Sequence, residues 1–361
     1  MKQTLRMLPL EAYRARYTDY LFAIEQKAFG KDFDLFPVVP DNKDGCVIIQ
    51  SGEVLDTVAR PMWALEQMRI LLQSAPDFGK IWFSDFFHPG LSALPYTRGK
   101  FKAFSYLWAQ TFDIYDFSRQ FVDWMRPWEC AAFNIYQKVY VASPLLKDKM
   151  IVALGERLYD QVEVVGLPFS SSHCFSLLGG VLPESRTFDV VYSSRWDREK
   201  NPGVFVDLVK SRPDLRFVVC CGHAELKGTA TDAVLEIKRL AALPSANVQI
   251  ATGLTKPQYY AILADAKVQF NCAIQDWVSF TLLEALTFGC LPLYPNWRDF
   301  PDTLLQRQRN LYAPASLASV NDKLEALLMS GTTQEDTDHA AAILGYHNGT
   351  LSRISESILT A

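Results

Sequence analysis

The sequence has no stretch approaching the ~18 uninterrupted apolar residues of a membrane span, and its start, MKQTLRMLPLEAYRARYTDYL, lacks the apolar block and small-residue cleavage site of a signal peptide. A cytoplasmic chain is the expectation. Cysteine is scarce and unpatterned. The seven residues Cys46, Cys130, Cys174, Cys220, Cys221, Cys272 and Cys290 are odd in number and contain no C-x-x-C, which excludes a disulfide framework and a zinc site alike. Charge of one sign is lacking too: the net charge is −4, and the first 180 residues carry 19 Lys and Arg against 20 Asp and Glu. No half of the molecule is therefore a basic clamp, and nucleic-acid binding would have to rest on local patches. No Asp-x-Asp follows an expected strand in a metal-binding setting, so no metal is expected. Internal repeats and low-complexity segments are also missing.

What is present is apolar sequence enough for two cores. The 361 residues are 49% hydrophobic, and chains of this length ordinarily divide into two domains. From TFDVVYSSRWD onward, apolar runs alternate with helical segments. A strand over 188–193 is followed by a helix over 201–210, with Asn201 as cap and Pro202 at its first position, and by a strand over 215–222 ending on Gly222. A helix near 230–242, a strand over 246–252, a helix over 257–266 and a strand over 268–273 continue the series. Strands with wholly apolar interiors belong in parallel sheets covered on both faces, so this half is expected to be a doubly wound α/β domain. The first half is similar in kind, with short strands at TLRMLPL, LFPVV, CVIIQ, KIWFSD, FSYLWA and KVYVAS and a helical segment over 61–74. The Gly/Ser/Pro-rich stretch 166–186 shows neither periodicity and reads as the boundary. The last residues, HNGTLSRISESILTA, have helical spacing and are expected to cross back to the first domain. Two such domains leave a cleft between the carboxyl ends of their strands, where ligands bind.

The stretch DWVSFTLLEALTFGCLP (276–292) concentrates the chemistry. Asp276 lies in the loop after a strand, and Thr281 with Glu284 fits a capping box at the start of a helix. The N–H groups of residues 279–282, at that helix start, form a site for an anion such as a diphosphate. One carboxylate on either side can accept hydrogen bonds from sugar hydroxyls, which suits a sugar–diphosphate–ribose chain. Arg195 and Lys200 follow a buried strand; the plain alternatives are a surface pair of Arg195 with Asp197 and a solvated Lys200 beside Glu199.

The spacing Asp276-x7-Glu284, followed by A-L-x-x-G-x-x-P and preceded by G-x-T-x-x-x-x-Y over 253–260 and by Arg195-x4-Lys200, resembles the nucleotide-sugar half of the GT-B glycosyltransferases of the retaining, group-one, glycogen-synthase-like type. It covers roughly residues 186–315. The resemblance implies an α/β GT-B fold, two Rossmann-like doubly wound domains facing each other across a cleft. Residues 1–168 would bind the acceptor, 169–345 the nucleotide sugar, and 346–361 would form a helix crossing back. It implies a nucleotide-sugar co-substrate, UDP-glucose or similar, with no cofactor and no metal. Glu284, with Phe280 and Thr281, would hold the donor's ribose and diphosphate, and Asp276 the hydroxyls of the transferred sugar. Arg195 and Lys200 would neutralise the departing diphosphate. Gly222 and Gly253 would let the base approach, near His223, while Tyr259 and Tyr260 would stack on the base or pack in the core. The family usually has Glu where this chain has Asp276, one methylene shorter, which alters the reach to the sugar.

The first half departs from the family, because PLEAYRARYTDYL replaces the usual Gly-rich loop after the first strand. Acceptor candidates are Asp85 and His88 in SDFFHPG; His88 would contact donor or acceptor, or is a structural histidine before Pro89. Asp113 and Asp116 read as loop carboxylates. Arg98, Lys100 and Lys102 interleave with Phe101, Phe104 and Tyr106, the mixture that stacking on bases and contacting phosphates requires. Arg14 and Arg16 with Tyr13 and Tyr17 form a second small patch. This half resembles viral enzymes that glycosylate hydroxymethylated pyrimidines, so the leading expectation for the acceptor is 5-hydroxymethylcytosine in DNA, in the cytoplasm of a bacteriophage host. The alternative is a bacterial surface-polysaccharide glycosyltransferase, although no basic amphipathic helix is found. A non-catalytic nucleotide-sugar-binding module, or an epimerase, is a further reading that the filled carboxylate and cation positions disfavour. Oligomeric state stays open.

Overall fold

The computed structural model describes residues 2–10, 18–40, 59–74, 79–97, 100–179 and 182–361. The expected strand CVIIQ and the patch of Tyr13, Arg14, Arg16 and Tyr17 lie outside them. Residues 2–169 and 349–361 form one compact unit, and Ser170–Asn348 form the other.

The wholly apolar runs became parallel strands, as burial on both faces requires. In unit 1, strands β1 (Gln3–Leu8), β2 (Phe33–Pro37), β3 (Gly79–Phe83), β4 (Phe101–Tyr106), β5 (Tyr136–Val141) and β6 (Val162–Val164) lie in the order β2-β1-β3-β4-β5-β6, every pair parallel. Trp82, Phe83, Phe104, Val139 and Tyr140 are fully buried at its centre. In unit 2, β7 (Phe188–Tyr192), β8 (Phe217–Cys220), β9 (Val248–Ala251), β10 (Ala266–Phe270), β11 (Leu291–Pro295) and β12 (Leu311–Tyr312) lie in the order β12-β11-β10-β7-β8-β9, again all parallel. Its core stacks Phe205 between Tyr192 and Phe270, at ring separations of 4.7 and 6.1 Å.

Helix starts depart from expectation in three places. Asn201 does not cap the helix after β7; it takes a left-handed turn (φ 49), which Asn tolerates, and Pro202 precedes a helix that begins at Gly203. The stretch 166–186 contains a helix, Ser171–Leu178, capped by the Ser170 hydroxyl accepting from the His173 N–H at 3.3 Å. The capping box at Thr281 and Glu284 is not formed: the helix is Phe280–Thr287 with Ser279 as its cap residue, which puts Thr281 inside the first turn.

Candidate functional site

In unit 2 the strand order reverses between β7 and β10, and open α/β sheets bind ligands outside the carboxyl ends of strands at such a reversal. The loop after β7 carries Arg195 and Lys200; the loop after β10 carries Asp276. The two are laced together. Ile274 and Gln275 donate their N–H groups to the Glu199 carbonyl at 3.0 and 3.2 Å, and Asn271 Nδ2 donates to Ser194 Oγ at 3.4 Å. Lys200 Nζ donates to the Gln275 carbonyl at 2.6 Å and stands 3.3 Å from Asp276 Oδ2. Only 8% of Lys200 is exposed, so it is no solvated cation beside Glu199, and the buried ammonium has the partners that burial demands. Asp276 keeps 24% of its side chain open. Arg195 is engaged twice, with Asp197 Oδ2 at 2.7 Å and Glu199 Oε1 at 2.5 Å. Asp197 is fixed in turn by the N–H and hydroxyl of Thr229 on its other oxygen, at 3.0 and 3.2 Å.

The helix Phe280–Thr287 opens at this same edge. Its first turn is partly self-satisfied: Leu282 returns its N–H to the Ser279 carbonyl at 3.1 Å, which removes one of the four expected donors, and the Ser279 and Thr281 hydroxyls bond each other at 2.8 Å. Glu284 sits one turn further on, 2% exposed, on a helix whose residues 282–287 are all buried. A carboxylate there needs a cation. Lys256, which sequence reasoning did not single out, provides it at 2.6 Å from Oε1, and the Tyr260 hydroxyl donates to the same oxygen at 3.1 Å. Lys256 and Glu284 are 28 positions apart. The one local signal was a cation directly after Thr255, whose capping box with Gln258 starts the helix Lys256–Ala264. Tyr260 is wholly buried and packs against Phe288, so it belongs to the core instead of to a base. Burial, reinforced by the Glu284 charge, raises the Tyr259 phenol and pushes the Cys174 thiol up to about 12. Gly222 is exposed, and Gly253 (φ 65) donates its N–H to the His223 carbonyl at 2.6 Å, with open space around its Cα. A cavity of about 420 Å³ lies between the first turns of the helices Gly203–Ser211 and Thr231–Ala241, where Arg198 is outnumbered by Asp207, Asp232 and Glu236, a poor setting for an anion.

In unit 1 the geometry places the acceptor candidates as follows. His88 is buried at 6%, accepts at Nδ1 from the Gly90 N–H at 3.2 Å and faces Gln67 Oε1 with Nε2 at 3.2 Å, so both ring nitrogens are in use within unit 1. Gln67 also donates to the Pro9 and Val38 carbonyls, at 2.9 and 3.1 Å, tying His88 to the ends of β1 and β2. Asp85 is buried and accepts from the Phe87 N–H at 3.2 Å. Asp113 and Asp116 are buried too; Asp116 accepts from Ser118 and is pushed up to about 6 by burial. The basic-aromatic segment 96–108 is described only in part. Arg98 lies outside the described residues. Lys100 and Lys102 stand at the amino end of β4, whereas ligands gather at carboxyl ends. Lys102 donates to the Ala361 carbonyl, and Phe104 and Tyr106 are sealed in the sheet without a face for a base.

Among the described residues no helix is long and apolar enough to cross a membrane, and no group of three or more His, Cys, Asp and Glu is placed to hold a metal ion. No family model matches the chain. Solved structures do. A sucrose-phosphate synthase from Thermosynechococcus elongatus is 12% identical with a TM-score of 0.66, over 99% of this chain and 97% of that one. The E. coli protein described as trehalose-6-phosphate bound with UDP-2-fluoro glucose is 12% identical with a TM-score of 0.68, over 99% and 98%. A glycosyltransferase from Rickettsia africae is 12% identical with a TM-score of 0.63, over 99% of both. The two parallel six-stranded sheets with flanking helices are those of the GT-B fold.

Proposed function

We propose that the chain is a retaining GT-B glycosyltransferase that moves a sugar from a nucleoside diphosphate, UDP-glucose or a close relative, to a hydroxyl of a small sugar or sugar phosphate. The observation that carries this is the meeting of Lys200, Asp276 and the first turn of Phe280–Thr287 at the strand-order reversal of unit 2, with Glu284 one turn behind. In this reading Glu284 accepts from the ribose hydroxyls. The N-terminal turn at Phe280 and Thr281, with Lys200 and Arg195, takes the diphosphate, where negative charge grows as the bond to the anomeric carbon breaks. Asp276 accepts from hydroxyls of the sugar being transferred. The acceptor oxygen bonds to the anomeric carbon on the face the diphosphate leaves, and the acceptor's proton goes to the departing phosphate. Cations and the helix terminus do this work without a metal, so turnover should survive EDTA.

The acceptor class is supported by the neighbours, two of which are named for sugar phosphates, and by the position of Lys100 and Lys102 at the amino end of β4, with Lys102 bonded to Ala361. The test is incubation with UDP-glucose and, separately, hexose phosphates, free sugars, and unmodified and hydroxymethylated DNA, followed by mass analysis. Release of UDP with a disaccharide phosphate is expected. Sugar on hydroxymethylated DNA would reverse the acceptor reading, and failure of every nucleotide sugar to bind or be cleaved would remove the enzyme reading itself.

A further inference from the structure

Glu284 is only 2% exposed at this edge of unit 2, and its surroundings are unequal. Two hydrogen bonds converge on its Oε1, from Lys256 Nζ at 2.6 Å and from the Tyr260 hydroxyl at 3.1 Å. Lys256 is itself nearly enclosed, 12% exposed at its side chain, with its ammonium 5.1 and 5.3 Å from the ring centres of Tyr259 and Tyr260. The titratable groups around the carboxylate are these three, from the helix Lys256–Ala264, and Cys174 from the helix Ser171–Leu178. On the helix Gln334–Asn348, which also packs there, Asp336 is held by Arg307 and Arg309, His339 by the Leu304 carbonyl, and the His347 ring lies beside Tyr346. From β11, Tyr294 bears on Asp276. Lys256 is thus the cation bonded to Glu284, amid the phenols of Tyr259 and Tyr260 and the Cys174 thiol.

We propose that Lys256 is a positioning residue for the donor: by binding Oε1 it offsets the burial of the Glu284 carboxylate and turns Oε2 toward the ribose. The inference rests on the reading of Glu284 as the ribose acceptor. A buried carboxylate without its cation prefers the protonated form, which cannot accept two hydroxyl bonds equally. Removing Lys256 should therefore produce a defect that depends on pH, which lost packing would not.

UDP-glucose serves as the probe. Lys256→Met should raise its KM on the order of tenfold at pH 6 and far less at pH 9, with kcat little altered, and Lys256→Arg should restore the wild-type profile. Glu284→Gln should raise KM by a factor that does not change with pH. The pair is also read without any donor, by thermal unfolding. Lys256→Met should lose stability relative to wild type as pH rises from 5 to 9, and Lys256→Met combined with Glu284→Gln should abolish that slope. A KM defect in Lys256→Met that is equal at both pH values, or an unfolding midpoint without the added slope, overturns the proposal. A wild-type KM in Glu284→Gln sinks the ribose reading instead, while the unfolding series still judges the pair.

Discussion

A guanidinium can neutralise a departing diphosphate only with charge that its own neighbours have left unspent. Arg195 has little, since Asp197 and Glu199 both hold it and the trio carries a net −1. Lys200, with Asp276 as its one carboxylate partner among the described residues, has more to give. Lys200→Ala should lower kcat by about 10²-fold, the usual loss on removing one preorganised stabiliser. Arg195→Ala should act mainly on donor KM, by exposing an anionic phosphate to two unpaired carboxylates, and Glu199→Gln in the same chain should recover part of it; steady-state kinetics across salt concentrations decides. Glu25 belongs to the same scale. It is wholly enclosed, accepts from Trp82 Nε1 at 3.0 Å and Ser84 Oγ at 2.7 Å, and burial pushes it up to about 7. Its contribution to stability is full below its ordinary 4.5, where folded and unfolded chains are both protonated. It falls as pH rises toward 7, because the unfolded chain ionises first, a loss on the order of 3 kcal/mol. Glu25→Gln should flatten that fall, so the gap between variant and wild-type unfolding midpoints should widen in the variant's favour from pH 5 to pH 8; a constant gap would refute the assignment.

At the scale of elements, the helix Thr350–Thr360 ends on lysines from distant strands. Lys80 donates to the Ile358 and Leu359 carbonyls, the latter at 3.0 Å, and Lys102 to Ala361, which satisfies acceptors that a helix end leaves open. Lys80→Met and Lys102→Met should each lower the stability of unit 1 by about 1 kcal/mol in denaturant titrations, and neither should alter donor turnover. This end of the helix shows where sequence reading stops. Fully apolar runs such as FVVC announce buried parallel strands because burial on both faces leaves no other pattern, and most strands were legible for that reason. β6 and β12, at three and two residues, are too short to carry a pattern. Ser171–Leu178 was hidden by the Ser and Gly residues that cap it. At the candidate site, local spacing is what singles out Arg195, Lys200, Asp276 and Glu284. What Glu284 and Lys102 bond to was not legible, since Lys256 and Ala361 are 28 and 259 positions away and only folding brings them in.

For the whole molecule, the decisive feature is that unit 1 is drawn from two separate lengths of chain. Leu351, Ile354 and Ile358 of the closing helix are buried, and the segment is further tied by Arg353 Nη2 to the Val165 carbonyl at 2.6 Å and by Ser355 Oγ to Asp32 at 2.6 Å. Ile354→Ala should cost unit 1 about 2–5 kcal/mol, as cavity-forming core changes do, and leave unit 2 unmoved. Two unfolding transitions, of which only one shifts, would show it; a common shift of both would mean the units unfold as one. The same arrangement sets a schedule on the ribosome. Synthesis runs from the amino to the carboxyl side, so every residue of unit 2 has left the exit tunnel before the second strip of unit 1, residues 349–361, emerges. Unit 1 must wait through some 180 residues of further synthesis with the seat of its final helix uncovered, making it the part of the nascent chain that a chaperone would meet.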